Sequence, residues 1–271
     1  MNDTLISVSR IVVIDDHGIV RFGYSQLITQ EPTLKVCGME ASERKGCETI
    51  LGERPDLAII DLSLKEGDGM DLISVCIKEL PNLKILVISA HDENLFAHRV
   101  LAAGARGYIN KQEAPERLIE GIHALLRDEL YFSEAVTRNL VRGCLGNRHP
   151  LQLEGVASLT NRELQVFEQI GNGQSTRDIA DSLYLSIKTI ERHKENIKQK
   201  LNLGHSTKLV QHAMGLAARV LSGGRRVWPF INLWTPDAAG SMRQARFPVG
   251  ESTPSKPDSG RNCTPMDRDL R

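Results

Sequence analysis

Ile11-Val12-Val13-Ile14-Asp15-Asp16-His17 sets four apolar, mostly β-branched residues directly before two adjacent carboxylates. An uninterrupted run of this kind reads as a short strand buried on both faces, the habit of a parallel sheet. The two acids then stand at its carboxyl end. Like charges in that position are either solvated strand-end residues or groups that wait together for something positive.

The chain downstream repeats the theme. Further β-branched runs occupy 34–38 (LKVCG), 57–60 (LAII), 83–88 (LKILVI) and 107–110 (GYIN). Segments of helical spacing lie between and after them, at about 18–30, 42–53, 69–80, 93–104 and 115–127. Strand–helix alternation predicts an α/β fold with a parallel sheet covered on both faces. Five strands and five helices over residues 10–127 predict a doubly wound, flavodoxin-like domain. Ligands in that architecture lie outside the carboxyl ends of the strands.

The predicted strand ends carry Asp15 and Asp16, then Asp61 (AIIDL), Ser89 (VISAH) and Lys111 (GYINK). Each residue alone has an ordinary explanation as a helix cap or loop residue. Together they converge on one rim, because neighbouring parallel strands lie only ~4.8 Å apart. Three clustered carboxylates repel one another unless a cation neutralises them. Hard oxygen ligands with room for water and phosphate oxygens describe a Mg²⁺ site of the phosphoryl-transfer kind. Asp61 can serve as nucleophile to give an aspartyl phosphate, with Lys111 and the Ser89 hydroxyl contacting the transferred group.

These residues, with Gly69 in GDGMDLI and the run AAGARGYINK, resemble the receiver domain of bacterial two-component response regulators. The resemblance implies phosphorylation of Asp61 by a histidine kinase or a small phosphodonor. It implies Mg²⁺ held by Asp16, Asp61 and the Ser63 carbonyl, with Asp15 assisting through water. Ser89 and Tyr108 match the family's switch pair, although a strand tyrosine is by itself ordinary. Two positions depart from the pattern. Lys65 stands where a proline is usual four residues after the phosphorylated Asp, which predicts a more mobile loop, and Gly18 replaces another common proline.

From Leu159 the period is helical only. Thr160 with Glu163 forms a capping-box pattern ahead of Leu164, Val166, Phe167 and Ile170. A short helix through Asp178–Leu183, a longer one capped by Ser186 and running to about Leu201, and a fourth over Thr207–Ala218 complete a small all-α bundle that contains a helix-turn-helix. Ile187, Ile190, Ile197 and Leu201 are expected to form one buried stripe, opposite a charged face. This block resembles the LuxR/FixJ-type DNA-binding domain, through LTNRELQVFEQIGNG, DIADSLYLSIKTIERHKENIKQKL and HSTKLV. The resemblance puts Glu191, Arg192 and Glu195 at base-facing positions and Lys188, Thr189, His193 and Lys198 against phosphate or backbone. Arg can bond guanine bidentately and Glu can accept from cytosine N4, while lysines supply salt-sensitive attraction.

Composition agrees with this division. The 271 residues are 41% hydrophobic and 25% charged, which suits about two globular domains. A formal net charge of zero hides an asymmetry: residues 1–128 hold 14 Lys+Arg against 20 Asp+Glu, whereas 159–221 hold 9 against 6. Five scattered cysteines, with no Cys-x-x-Cys, argue against a disulfide framework and a zinc site. The longest apolar runs are far shorter than the ~20 residues of a membrane span, and no secretory signal opens the chain, so a cytoplasmic location is expected.

The expected organisation is therefore a receiver over 10–127, a helical linker over 128–157 with Ser133 as an N-cap, a helix-turn-helix domain over 158–221, and a disordered Gly/Pro/Ser/Arg-rich tail over 222–271 whose patch Val227–Trp234 is apolar enough to dock. The function expected is a phosphorylation-controlled transcriptional regulator that pairs with double-stranded DNA as a homodimer when phosphorylated. Two other classes remain open at this point. One is a regulator that uses the receiver only as a dimer module; the other is a metal-dependent phosphatase built on the three acids.

Overall fold

The structure, a computed structural model, describes residues 8–144 and 155–221 and two short strands at 234–236 and 242–244. Five strands, β1 (Ser9–Ile14), β2 (Leu34–Glu40), β3 (Leu57–Ile60), β4 (Lys84–Ser89) and β5 (Gly107–Asn110), alternate with α1 (Gly18–Thr29), α2 (Glu43–Glu53), α3 (Gly69–Glu79), α4 (Glu93–Ala102) and α5 (Ala114–Leu126). All five pair in parallel, in the order β2-β1-β3-β4-β5. This is the flavodoxin-like order expected from the alternation.

The apolar runs explain the layering. Ile11 to Ile14 are all fully buried, and consecutive side chains go to opposite faces of the sheet. Val12, Ile14, Ala58, Ile60, Ile85 and Val87 pack with Ile50 of α2, Met70 and Ile73 of α3 and Phe96 of α4. Ile11, Val13, Leu57, Ile59, Leu86 and Ile88 pack with Tyr24 and Ile28 of α1 and Leu118 and Ile122 of α5. Two of the helices, α3 and α4, start where a short polar side chain satisfies a free backbone N–H group. Asp68 accepts from Met70 N at 2.8 Å ahead of α3, and Asp92 accepts from Asn94 N at 2.8 Å ahead of α4.

Gly69 has a close-packing reason. A Cβ there would lie 2.1 Å from the Asp61 carbonyl oxygen and 2.7 Å from Leu62 Cα, both backbone atoms that cannot swing aside. Gly69→Ala is therefore expected to push α3 off the loop after β3 and to cost about 1–3 kcal/mol, as overpacking does. A urea midpoint equal to wild type would contradict that reading of the contact.

α6 (Glu134–Cys144) follows, with the Ser133 hydroxyl accepting from Val136 N at 3.3 Å. After a 3₁₀ turn at Val156–Ser158 come α7 (Asn161–Gly171), α8 (Thr176–Ser182), α9 (Ile187–Lys200) and α10 (Ser206–Leu221). Thr160 and Glu163 form the expected capping box, Ser175 and Asp178 form a second, and the Ser186 side chain caps α9 by accepting from Thr189 N at 3.1 Å. The bundle core is Leu164, Phe167, Ile170, Ile179, Leu183, Ile190, Ile197, Leu209 and Ala213.

One expectation about this bundle fails. Ile190, Ile197 and Leu201 are buried, but Ile187 is 52% exposed. Spacing fixes a residue's angle around the helix axis, not how far the neighbouring helices extend along it, and Ile187 opens α9.

Cys37, Cys47 and Cys76 are free thiols. No helix among the described residues is long and apolar enough to cross a membrane. Residues 145–154 of the expected linker lie outside the described residues, as does most of 222–271, including all but Trp234 of the apolar patch. Within that last stretch β6 (Trp234–Pro236) and β7 (Met242–Gln244) pair antiparallel.

Candidate functional site

β1 and β3 are neighbours in register, with Ile14 opposite Ile60. The next residue on each strand is therefore an aspartate, and Asp15 and Asp61 face one another across the break in strand order. The Asp61 N–H donates to the Ile14 carbonyl at 2.9 Å, so the pairing extends one residue into the site. Asp61 is only 2% exposed and Asp16 8%. Lys111, from the end of β5, places Nζ 2.7 Å from Asp15 Oδ2 and 2.8 Å from Asp61 Oδ2. The sheet thus gathers Asp15, Asp16, Asp61 and Lys111 as their strand-end positions require.

One ammonium does not balance three buried carboxylates. Burial pushes Asp61 above the usual carboxylate range, and Asp15 adds to that, against the opposing pull of Lys111. Burial likewise works against the Lys111 charge, yet Asp61 and Asp15 hold its pKa above the ordinary lysine value. Asp61 Oδ1 and Asp16 Oδ2 are buried without a hydrogen-bond partner. Buried polar atoms are rarely left so, because each costs desolvation energy that nothing returns. Ligand atoms of Asp15, Asp16, His17 and Asp61 all lie within 4.8 Å of one another. His17, which pattern reading passed over, joins the group through Nδ1, 2.5 Å from Asp16 Oδ1. Three clustered carboxylates with unpartnered oxygens fit a hard divalent cation.

The remaining receiver residues surround this pocket. Ser89 and Tyr108 are completely buried. The Tyr108 hydroxyl donates to the His91 carbonyl at 2.8 Å, so Tyr108 is a hydrogen-bonded core residue. The Ser63 hydroxyl lies 2.9 Å from His91 Nε2. The loop that carries Lys65 is tied to the start of α2, where Glu43 N donates to the Glu66 carbonyl at 3.0 Å and Asp68 N donates to Glu43 Oε2 at 2.7 Å. The Lys65 ammonium itself sits over the Tyr184 ring, 5.2 Å from its centroid.

The second site is the outer face of α9. Glu191, Arg192, Glu195 and Lys188 are exposed. Glu191 accepts from the Thr176 hydroxyl at 3.0 Å and from Lys194 Nζ at 3.1 Å, and Lys198 pairs with Glu195 at 2.6 Å, so cations accompany both acids on this face. Thr189 is engaged locally, its hydroxyl 2.8 Å from Ser186 Oγ. His193 turns partly inward: its Nδ1 is buried without a partner, and burial holds its pKa below the ordinary imidazole value.

Pattern reading missed the contacts between the two folded parts. Glu168 of α7 is buried, and its carboxylate pairs with His91 Nδ1 while accepting from Asp92 N at 2.7 Å. Burial works against a charged His91, but Glu168 raises its pKa above the ordinary value. Arg99 of α4 donates to the Leu159 carbonyl at 2.8 Å, to Asn161 Oδ1 at 3.0 Å and to the Val156 carbonyl at 3.2 Å. In the turn between α8 and α9, Tyr184 (φ 53°) carries its ring under the Lys65 ammonium, and the Asp16 carboxylate raises its phenol pKa above the ordinary value. No spacing rule announces such pairs, since a lone Glu on a helix or Tyr in a turn reads as solvent-facing.

Comparison with known proteins agrees with the geometry. Residues 11–123 match the family model for the response regulator receiver domain, and residues 157–213 match that for bacterial regulatory proteins of the luxR family. The oxygen regulatory protein NreC of Staphylococcus carnosus is 31% identical over 214 residues, covering 76% of this chain and 96% of that protein. NreC of Staphylococcus epidermidis is 32% identical over 210 residues, with the same coverage. Among solved structures, Salmonella typhimurium RcsB aligns with a TM-score of 0.53 at 25% identity, over 78% of this chain and 98% of that one. RcsB bound to promoter P1flhDC with the phosphomimetic BeF₃⁻ aligns at 0.51 and 26%, over 76% and 98%. The chain belongs to the two-component response regulators that join an N-terminal receiver domain to a C-terminal LuxR-type DNA-binding domain.

Proposed function

We propose that Asp61 is the residue that accepts the phosphoryl group and that the phosphorylated chain binds paired DNA half-sites as a homodimer in the cytoplasm. The observation that carries the first part is the buried, unpartnered Asp61 Oδ1 beside the oxygens of Asp16. An Asp61 oxygen attacks the phosphorus of a phosphohistidine or of a small donor such as acetyl phosphate. A P–O bond to Asp61 forms, the bond to the imidazole or acetate breaks, and the leaving group keeps the electron pair. Asp16, Asp61 and the Ser63 carbonyl are the groups to hold Mg²⁺, with Asp15 assisting. When bound, the ion neutralises charge that builds on the transferred phosphoryl oxygens. Lys111, already 2.8 Å from Asp61, stays to pair with that group.

The phosphoryl oxygens then offer Ser89 a hydrogen-bond partner. Ser89 and Tyr108 both adjoin the His91 segment, which Glu168 grips. Phosphorylation thereby biases an equilibrium between docked and released DNA-binding domains. RcsB bound to a promoter in the presence of a phosphomimetic is a relative of matching architecture. The test is labelling of the full chain by acetyl phosphate in Mg²⁺, with the modified peptide located by mass spectrometry and promoter footprints compared with and without donor. Absence of labelling at the Asp61 peptide would favour the receiver as a dimer module. Multiple turnover of a simple phosphate ester would favour a phosphatase.

On DNA, Arg192 is the residue to read guanine, with Glu191 and Glu195 beside it and Lys188, Thr189, His193 and Lys198 as candidate backbone contacts. Arg192→Ala is expected to lower discrimination by about 1–3 kcal/mol, roughly 5–150-fold, at one base position. Lys188→Ala should weaken all sequences alike and flatten the salt dependence. Uniform weakening by Arg192→Ala would move that residue to the phosphate class.

A further inference from the structure

We propose that His17 is a further ligand at the acidic rim, and that its imidazole opens the site to borderline divalent transition ions such as Co²⁺ or Zn²⁺. This inference rests on the reading of Asp16 and Asp61 as cation ligands, and adds a nitrogen donor to that all-oxygen set.

The position of the ring carries it. Nδ1 lies 2.5 Å from Asp16 Oδ1 and 3.4 Å from Asp15 Oδ1. Ligands at right angles around one ion, with bonds of ~2.0–2.1 Å, stand ~2.9 Å apart, between those two distances. Ligand atoms of Asp15, Asp16, His17 and Asp61 all lie within 4.8 Å of one another, so small side-chain rotations bring them onto one ion. Asp61 Oδ1 and Asp16 Oδ2 are buried without a partner, and the ion supplies what the ring alone does not.

Helix capping does not account for the direction of the ring. His17 stands at the start of α1, yet its side chain makes no cap hydrogen bond, while its backbone N–H donates to Asp15 Oδ1 at 2.8 Å. The side chain is 55% exposed, so the imidazole stands where an ion arriving from solvent meets it before the buried acids.

The donor set decides the class of ion. Mg²⁺ takes oxygen ligands and gains little from an imidazole. Co²⁺ and Zn²⁺ take imidazole nitrogen together with carboxylate oxygen. The three aspartates thus make the site bind a cation, and His17 sets which cation it prefers. Either ion excludes the other, because both need the oxygens of Asp16 and Asp61.

The test compares full-length wild type with His17→Ala, His17→Asn and Asp16→Asn, using Mg²⁺ alone, Co²⁺ alone, and displacement of Co²⁺ by Mg²⁺. His17→Asn keeps a residue suited to the start of a helix while removing the imidazole. Calorimetry gives each Kd, and the Co²⁺ absorption spectrum reports nitrogen among the ligands. The wild type is expected to bind Co²⁺ more tightly than Mg²⁺ and to release it as Mg²⁺ is added. Both His17 variants should lower the ratio of Co²⁺ to Mg²⁺ affinity at least ~10-fold, the lower end of what losing even an outer-shell partner costs a metal site. Both should also shift the Co²⁺ spectrum, and Asp16→Asn should weaken both ions. An affinity ratio that both His17 variants leave at the wild-type value overturns the proposal, as does bound Co²⁺ that Mg²⁺ fails to displace. Co²⁺ held through His17 and Asp16 in a wild type that takes no Mg²⁺ would sink the Mg²⁺ reading and leave the His17 site standing. Mg²⁺ binding without Co²⁺ binding would do the reverse.

Discussion

Asp61→Asn is expected to reduce labelling by acetyl phosphate to background and to make DNA affinity indifferent to the phosphodonor. The substitution keeps shape and polarity and removes the nucleophilic carboxylate. It should not unfold the chain, because Lys111 retains Asp15 at 2.7 Å. The sign of the electrostatic change can be worked out. Burial raises the Asp61 pKa in the folded state, so ionising it costs folding free energy. That cost is absent below the unfolded carboxyl pKa of about 3.9 and grows as pH rises from there through the raised folded value. A neutral Asn escapes it, so in chelator at pH 7 the variant should melt no lower than wild type. Mg²⁺ should raise the melting temperature of wild type by mass action and that of the variant less. Labelling retained in Asp61→Asn would move the phosphoacceptor to another carboxylate.

Glu168→Ala is the second large effect expected. It removes one partner of a buried ion pair and leaves His91 facing an apolar gap, together with an Asp92 N–H that has lost its acceptor. Breaking such a pair from one side costs about 3–5 kcal/mol. The loss falls on docking between the two folded parts, because His91 and Glu168 come from different ones. The variant should therefore bind promoter DNA without donor as tightly as the phosphorylated wild type, and small-angle scattering should show a larger radius of gyration. Glu168→Gln, which keeps hydrogen-bonding capacity without the charge, should fall between. Donor-free DNA binding at the wild-type level in Glu168→Ala would show that this pair does not restrain the DNA-binding domain.

Both predictions depend on residues that differ in how visible they were beforehand. Asp15, Asp16, Asp61, Ser89 and Lys111 could be assembled from the linear chain because a doubly wound sheet sends every strand's carboxyl end to one rim. Once β1 and β3 are neighbours, the spacing of strands brings their terminal acids together. Thr160 with Glu163, and Ser186, were legible for a different reason: a helix cap is made by residues two or three apart. His91, Arg99, Glu168 and Tyr184 follow no such local rule. Their partners lie from 57 to 77 positions away for Arg99, His91 and Glu168, across a junction whose geometry no periodicity encodes. Ile187 shows the complementary limit, since its angle around α9 was right and its burial was not.

By itself, then, the amino-acid sequence determined the alternating sheet, the rim of acids, the caps and the helix-turn-helix. These depend on short uninterrupted apolar runs, on the 3.6-residue period and on contacts within a turn, which a chain carries in its local order. Only the tertiary structure decided that Asp61 Oδ1 is left without a partner, that Glu168 grips the loop beyond Ser89, and that the Tyr184 ring lies beneath Lys65. Those facts arise from which surfaces of two independently patterned domains are pressed together, and burial and charge at such a contact exist only once both are folded.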